Sequence, residues 1–262
     1  MRQLDSRLEL STFIAWKEST VPRKILPDPS ALLPICPFQF NDTIGTRKSH
    51  SMAENTAFVS GFFKGIATQS AFANLVTSLY FVYQAMENEF ENASDASVKA
   101  LDYTELRRVK SLEKDMEFFY GSEWAGIIAP SSATKKYVAR IEEIGKSQPE
   151  LLIAHQYTRY LGDLFGGQMM GGMASKSLGL EPGQGTSFYQ FDDISDTRGF
   201  IDEWYTNLNK LDLTDKQKEA IVDEANLVFA LNIEILEELE GSPFKAMMML
   251  AINSLKEKFG FQ

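Results

Sequence analysis

The chain has 262 residues, enough for one large domain or two ordinary ones, and its 44% hydrophobic and 24% charged residues are usual for a globular protein. A formal net charge of −10 with no long basic run argues against a general nucleic-acid binder. The single cysteine, Cys36, excludes an internal disulfide, and no apolar run is long enough to read as a membrane span.

Residues 1–41 hold five of the nine prolines (Pro22, Pro27, Pro29, Pro34 and Pro37). Proline lacks a backbone donor and restrains its predecessor, so this segment reads as an extended arm. Its apolar residues Leu32, Leu33, Ile35 and Phe38 suggest that it packs along the body. The first twenty residues carry Asp5, Glu9 and Glu18 and no apolar secretory core, which makes a poor targeting signal.

From residue 42 onward helical periodicity dominates. A helix is expected near 44–58, and Phe72, Leu75, Val76, Leu79, Tyr80, Tyr83 and Met86 mark the buried face of the next. Further helices are expected near 101–120, 133–145, 149–178 and 197–209, with a short extended piece around Ser187–Phe191. A later face runs through Ile221, Ala225, Val228, Leu231, Ile235 and Leu239, preceded by the capping-box pattern Thr214 to Gln217. A last helix is expected near 244–258. Breaks fall at Gly121, Pro149, the "EPGQG" turn (181–185) and "GSP" (241–243). No internal repeat or heptad seam is present, so residues 42–262 read as a single all-α domain, a helical bundle.

One stretch resists this simple reading. Residues 157–172, "YTRYLGDLFGGQMMGG", keep helical spacing yet carry five of the chain's seventeen glycines. Each glycine inside a helix costs about 1 kcal/mol relative to alanine. Either something lies very close to this backbone, or the helix departs from regular geometry there.

The inventory of metal ligands is short. Only His50 and His155 are present, and neither has a glutamate three residues before it, so a di-iron carboxylate bundle and a multi-histidine zinc site both fail. One histidine suffices as an axial haem ligand. His50 stands four residues before Glu54, a spacing that on a helix puts both on one face, where a carboxylate could accept from the second ring nitrogen of a metal-bound imidazole. Spacing alone favours the plainer reading, a surface or half-buried histidine beside a glutamate. His155, within "LLIAHQ", reads as structural.

"SHSMAENTAF" and "AHQYTRYLGDLFGGQ" closely resemble the proximal and distal helices of the haem oxygenase family, in its cyanobacterial and algal-plastid branch. "LYFVYQAMENE", "PELLIAH", "FYQFDDISD" and "EANLVFALN" resemble the same family in the same order. The likeness covers about residues 42–245 and leaves out the proline-rich arm.

The resemblance implies haem b held between two helices, as both substrate and cofactor, and cleaved with O2 to biliverdin, carbon monoxide and ferrous iron. By resemblance His50 is the iron ligand and Glu54 its carboxylate acceptor, while Arg47 and Tyr157 contact the propionates. Gly162, Gly166 and Gly167 let the distal backbone approach the porphyrin. Asp163 organises a water network on the oxygen side, supported by Arg159 and Tyr80. Phe165, Phe229 and Asn232 join the haem-contacting set. No dinucleotide fingerprint or cysteine cluster is present, so the implied electron donor is external: ferredoxin or another reductase. The branch implies a plastid stroma, with the cytoplasm as the alternative.

Several positions depart from the family pattern. Thr43, Ile201 and Tyr205 stand where basic residues are common, which implies weaker haem retention and a less secure ring-opening position. Phe165 replaces a small serine, and Gly171 and Gly172 replace a basic pair that helps dock the reductant. Two other functions remain open. One is a haem-binding or sensor protein without turnover. The other is a thiaminase-like enzyme, which wants a buried cysteine nucleophile, whereas Cys36 lies in the arm.

Overall fold

A computed structural model of the chain describes residues 68–181 and 183–240. The expected arm, the helices near 44–58 and 244–258, the "GSP" break, and Cys36, Thr43, Arg47, His50 and Glu54 lie outside the described residues. Among the described residues every regular element is helical.

Helix α1 spans Gln69–Asn92 and opens where the Thr68 hydroxyl accepts the Ala71 N–H at 3.1 Å. It buries Phe72, Val76, Leu79, Tyr80, Tyr83 and Met86, the stripe expected from sequence, with Leu75 at its half-buried edge. A short helix α2, Ala96–Ala100, is capped by Asp95, which accepts the Ser97 and Val98 N–H groups.

The expected helix over 101–120 is divided: a 3₁₀ turn forms at Thr104–Leu106, and α3 begins only at Val109 and runs to Tyr120. The cause sits on α1. The Glu87 carboxylate accepts the N–H groups of Arg108 and Val109 at 2.5 and 3.0 Å, satisfying orphan donors and fixing the start of α3 there. Helix α3 ends at Gly121, whose φ of 79° lies in the left-handed region.

Helix α4, Ser132–Ser147, begins at Ser131, whose hydroxyl accepts the Thr134 N–H, and it buries Tyr137, Ile141 and Ile144. A 3₁₀ turn at Pro149–Leu151 leads into α5, Leu152–His155, the start of a long segment that continues to α6, Gln168–Leu178. The extended piece expected near Ser187–Phe191 is instead a 3₁₀ turn at Ser187–Tyr189. Helix α7, Thr197–Leu208, is capped by Asp196. Before α8, Asp215–Glu240, Thr214 and Gln217 exchange backbone-to-side-chain bonds at 3.0 and 3.3 Å, the capping box read from sequence.

Helix α1 packs against α3 and α4, and α8 packs against α4 and α5. One buried polar group crosses this last contact. His155, 0% exposed, shares a 3.0 Å bond with Glu224 of α8, and Arg140 of α4 holds the same carboxylate at 3.0 and 2.6 Å. Burial keeps the imidazole neutral, its pKa lowered, so the ring donates from Nε2 and stays structural. Burial works to raise the Glu224 carboxyl, but the bonds from His155 and Arg140 more than offset it and bring it down to about 2.

A carboxyl depressed from 4.5 to about 2 contributes stability above pH 4.5 that is lost as pH falls toward 2. The shift corresponds to about 3 kcal/mol. Glu224→Gln is expected to lower unfolding free energy by about that amount at pH 7. In urea denaturation at successive pH values, the gap from wild type should close between pH 5 and 2. A gap that does not vary with pH contradicts this account.

Candidate functional site

The segment 149–178 is continuous, as expected, but much of it is not α-helical. After His155 the backbone widens to π-helical i→i+5 bonding over Gln156–Leu161 and again over Asp163–Gly167, before α6 resumes. This wider winding is rare and favours functional sites. Side-chain anchors hold it. Gln156, 2% exposed, donates to the Leu101 carbonyl and accepts the Trp204 indole N–H at 3.0 Å. Arg159 donates to the Asn232 side-chain oxygen at 3.1 Å, and Asn232 donates back along α8 to the Val228 carbonyl at 2.7 Å.

Asp163 is the polar centre of the segment. Its Oδ2 accepts from the Tyr83 hydroxyl and pairs with Arg159 at 2.9 Å; both members of this ion pair have side chains 15% exposed. The Arg159 guanidinium also lies 5.6 Å from the centroid of the Tyr83 ring. Burial raises the Asp163 carboxyl, with Arg159 and the Tyr83 hydroxyl pulling it back. Tyr83 is held well above its ordinary value by burial and by Asp163, so it stays a phenol and a donor. Burial disfavours the Arg159 cation, yet Asp163 and the neighbouring phenols raise its pKa on balance. With Oδ2 committed twice, Oδ1 is the oxygen that carries no hydrogen bond among the described residues.

The five glycines divide into two kinds. At Gly162, Gly166 and Gly172 an added Cβ would meet no atom of the described residues within 4 Å, so among these residues the three positions are uncovered. At Gly167 a Cβ would lie 3.1 Å from the Tyr189 ring, and at Gly171 only 2.7 Å from the Tyr189 Cβ. At Gly167, as at Gly171, the Cβ direction is closed by Tyr189. The bare face belongs to Gly162 and Gly166, which flank Asp163. Phe165, between them in sequence, is 80% exposed.

Tyr80 also needs correction. Its hydroxyl accepts from Gln84 at 2.9 Å and its ring packs edge-on to Trp124, while the tyrosine bonded to Asp163 is Tyr83, one turn further along α1. Both stand on the same buried stripe, and periodicity cannot tell which of them meets the distal carboxylate. Tyr157 stacks on Trp204 at 6.4 Å. Phe229, Ile201 and Tyr205 are half-buried on α8 and α7. Tyr189 was not singled out from sequence either; nothing in "FYQFDDISD" reveals which glycines its ring covers.

Among the described residues no group of three or more His, Cys, Asp or Glu could hold a metal ion, and no helix is long and apolar enough to cross a membrane. A sequence model of the family described as "Heme oxygenase" matches residues 43–238. The chain is 47% identical to "Heme oxygenase" of the red alga Pyropia yezoensis over 214 residues, 81% of this chain and 90% of the relative. It is 44% identical to "Heme oxygenase 1" of Nostoc over 216 residues, 82% and 91% of the two chains. Among solved structures, heme oxygenase-1 of the cyanobacterium Synechocystis in complex with heme superposes with a TM-score of 0.75. The two are 44% identical, and the match covers 80% of this chain and 96% of that one.

The two kinds of glycine are separable in solution. Gly171→Ala forces a Cβ against Tyr189 and is expected to destabilise by about 1–3 kcal/mol. Gly172→Ala meets no atom of the described residues within 4 Å and removes a helix-interior glycine, so it should be neutral or stabilising by up to about 1 kcal/mol. Urea midpoints of the two variants check this directly; equal effects would contradict the division.

Proposed function

The chain belongs to the haem oxygenase family of enzymes, and from that premise we propose that it binds haem against the bare backbone at Gly162 and Gly166 and opens the ring oxidatively. The observation that carries this reading is the pairing of an uncovered main chain with an inward-held carboxylate, Asp163, between the two glycines. A flat aromatic macrocycle fits such a surface because nothing projects from it at 162 or 166. The chain's structural relative from Synechocystis holds heme.

His50 is the proposed iron ligand, and Glu54, four residues on, accepts from its other ring N–H. Arg47 and Tyr157 are proposed for the propionates, with Phe165, Phe229 and Asn232 at the edges of the site. The bound group supplies the iron that activates O2 and is itself the ring that is cleaved. The chain contributes positioning and protons. Tyr83 and Arg159 hold one oxygen of Asp163, and the other, which carries no hydrogen bond among the described residues, is the one proposed to hold the solvent through which protons arrive, without a strong acid in direct contact with the reacting centre. The open backbone at Gly162 and Gly166 leaves room for O2 beside the ring.

The products proposed are biliverdin, carbon monoxide and ferrous iron. Electrons come from ferredoxin or a similar reductase, since the sequence carries no dinucleotide fingerprint and one cysteine only. The red-algal and cyanobacterial relatives support a plastid setting. Ile201 and Tyr205, standing where basic residues are common, favour the second reading, a haem binder with weak turnover.

Haem titration followed by single turnover with a ferredoxin system decides between them. Wild type is expected to form an imidazole-ligated complex and then convert its Soret band into a biliverdin spectrum. Asp163→Ala should still bind haem but produce biliverdin about a hundredfold more slowly, releasing peroxide instead. His50→Ala should lose the imidazole signature. Wild-type binding without biliverdin would favour the second reading, and full turnover by Asp163→Ala would remove the role given to that carboxyl.

A further inference from the structure

Helix α3 does more than pack against α1. Asp115, 0% exposed, accepts the N–H groups of Ser187 and Phe188 at 2.8 Å each, one on each carboxylate oxygen. These are the orphan donors at the start of the 3₁₀ turn Ser187–Tyr189, so a side chain from a distant helix acts as its cap. Two turns back, Arg108 donates to the Gln190 carbonyl and lies 4.0 Å from the centroid of the Phe191 ring. One face of α3 thus holds the segment 187–191 at both ends.

What that segment presents is directed at the site. The Phe188 ring meets Tyr83 edge-on at 5.2 Å, and Tyr83 is the donor to Asp163. The Tyr189 ring fills the space beside Gly167 and Gly171, on the helix that carries Asp163. The Phe188 and Tyr189 rings also meet edge-on, their centroids 4.8 Å apart. With Cβ positions at 2.7 and 3.1 Å from Tyr189, the glycine helix has no slack on that side.

We infer that Asp115 is a positioning residue for the distal site: by capping the 187–189 turn it sets the Phe188–Tyr189 wedge, which fixes both the Tyr83 hydroxyl and the glycine-rich helix that carries Asp163. The inference deepens the haem oxygenase reading, because Asp163 matters catalytically only if that reading holds; the wedge itself is independent of it. Burial pushes the Asp115 carboxyl up to about 6, with the Phe188 and Ser187 N–H groups pulling it back, so the carboxylate stands in a costly environment. Aspartate offers here a second acceptor oxygen and a negative charge, neither of which asparagine has.

Amide hydrogen exchange on the full chain, before haem is added, tests this without reference to turnover. Asp115→Ala is expected to speed exchange about tenfold or more at 186–191 and also at 163–172, while α1 and α8 keep wild-type protection. Asp115→Asn, which keeps one acceptor, should give an intermediate effect. Tyr189→Leu leaves the cap intact, so it should loosen 163–172 but not the Ser187 and Phe188 amides. If Asp115→Ala does not fold, Tyr189→Leu and Asp115→Asn decide. Faster exchange at 186–191 with 163–172 unchanged overturns the inference, as does a uniform rise across every helix. Haem titration of the same samples then separates the outcomes: a wedge that behaves as expected in a chain that binds no haem would leave the inference standing and remove the reading of the site.

Discussion

A single stretch of main chain must be bare on one side and hold a carboxylate on the other. Gly162 and Gly166 meet that constraint outward, and Asp163 between them meets it inward, tied to Tyr83 and Arg159. A regular α-helix rich in glycine would be a poor support for such a group, because it loses both propensity and side-chain packing. Here the support comes from outside the segment. Gln156 is held by Trp204 and the Leu101 carbonyl, Arg159 by Asn232, and His155 by Glu224. The π-helical winding is tolerated because these tertiary bonds, rather than local preference, fix its path.

The glycines on the other flank show the opposite economy. Gly167 and Gly171 are small because Tyr189 comes close, and they let the segment seat against the 187–189 turn without a gap. Small residues therefore perform two tasks in one run: exposing backbone at 162 and 166, and admitting a ring at 167 and 171. Between the bare face and the packed face lies less than one turn of helix. Any change that rotates the segment would exchange the two, which is why its buried polar anchors matter more than their individual energies suggest.

Much of this arrangement could be read directly from residue order. The stripe from Phe72 to Met86, the capping box at Thr214–Gln217 and the stop at Gly121 all rest on local chemistry, and the structure shows them so. What could not be read rests on tertiary partners. Glu87 divides the region 101–120 by capping Arg108 and Val109 from another helix. Asp115 turns an extended-looking aromatic run into a 3₁₀ turn in the same way. Tyr80 and Tyr83 lie on one stripe, and only the packing of the distal segment selects Tyr83 as the partner of Asp163. A glycine pattern likewise cannot say whether a ring or an open face lies opposite each residue.

The uncovered main chain is also where the account is most exposed to test. A Cβ at Gly166 meets no atom of the described residues within 4 Å, so a Gly166→Leu chain is expected to fold with near wild-type stability. If this face receives haem, that side chain occupies the same volume, and absorbance titration should show haem affinity reduced by about a hundredfold, roughly 3 kcal/mol of lost binding. Wild-type affinity and an unchanged Soret band in a folded Gly166→Leu variant would contradict the placement of the ring on this backbone.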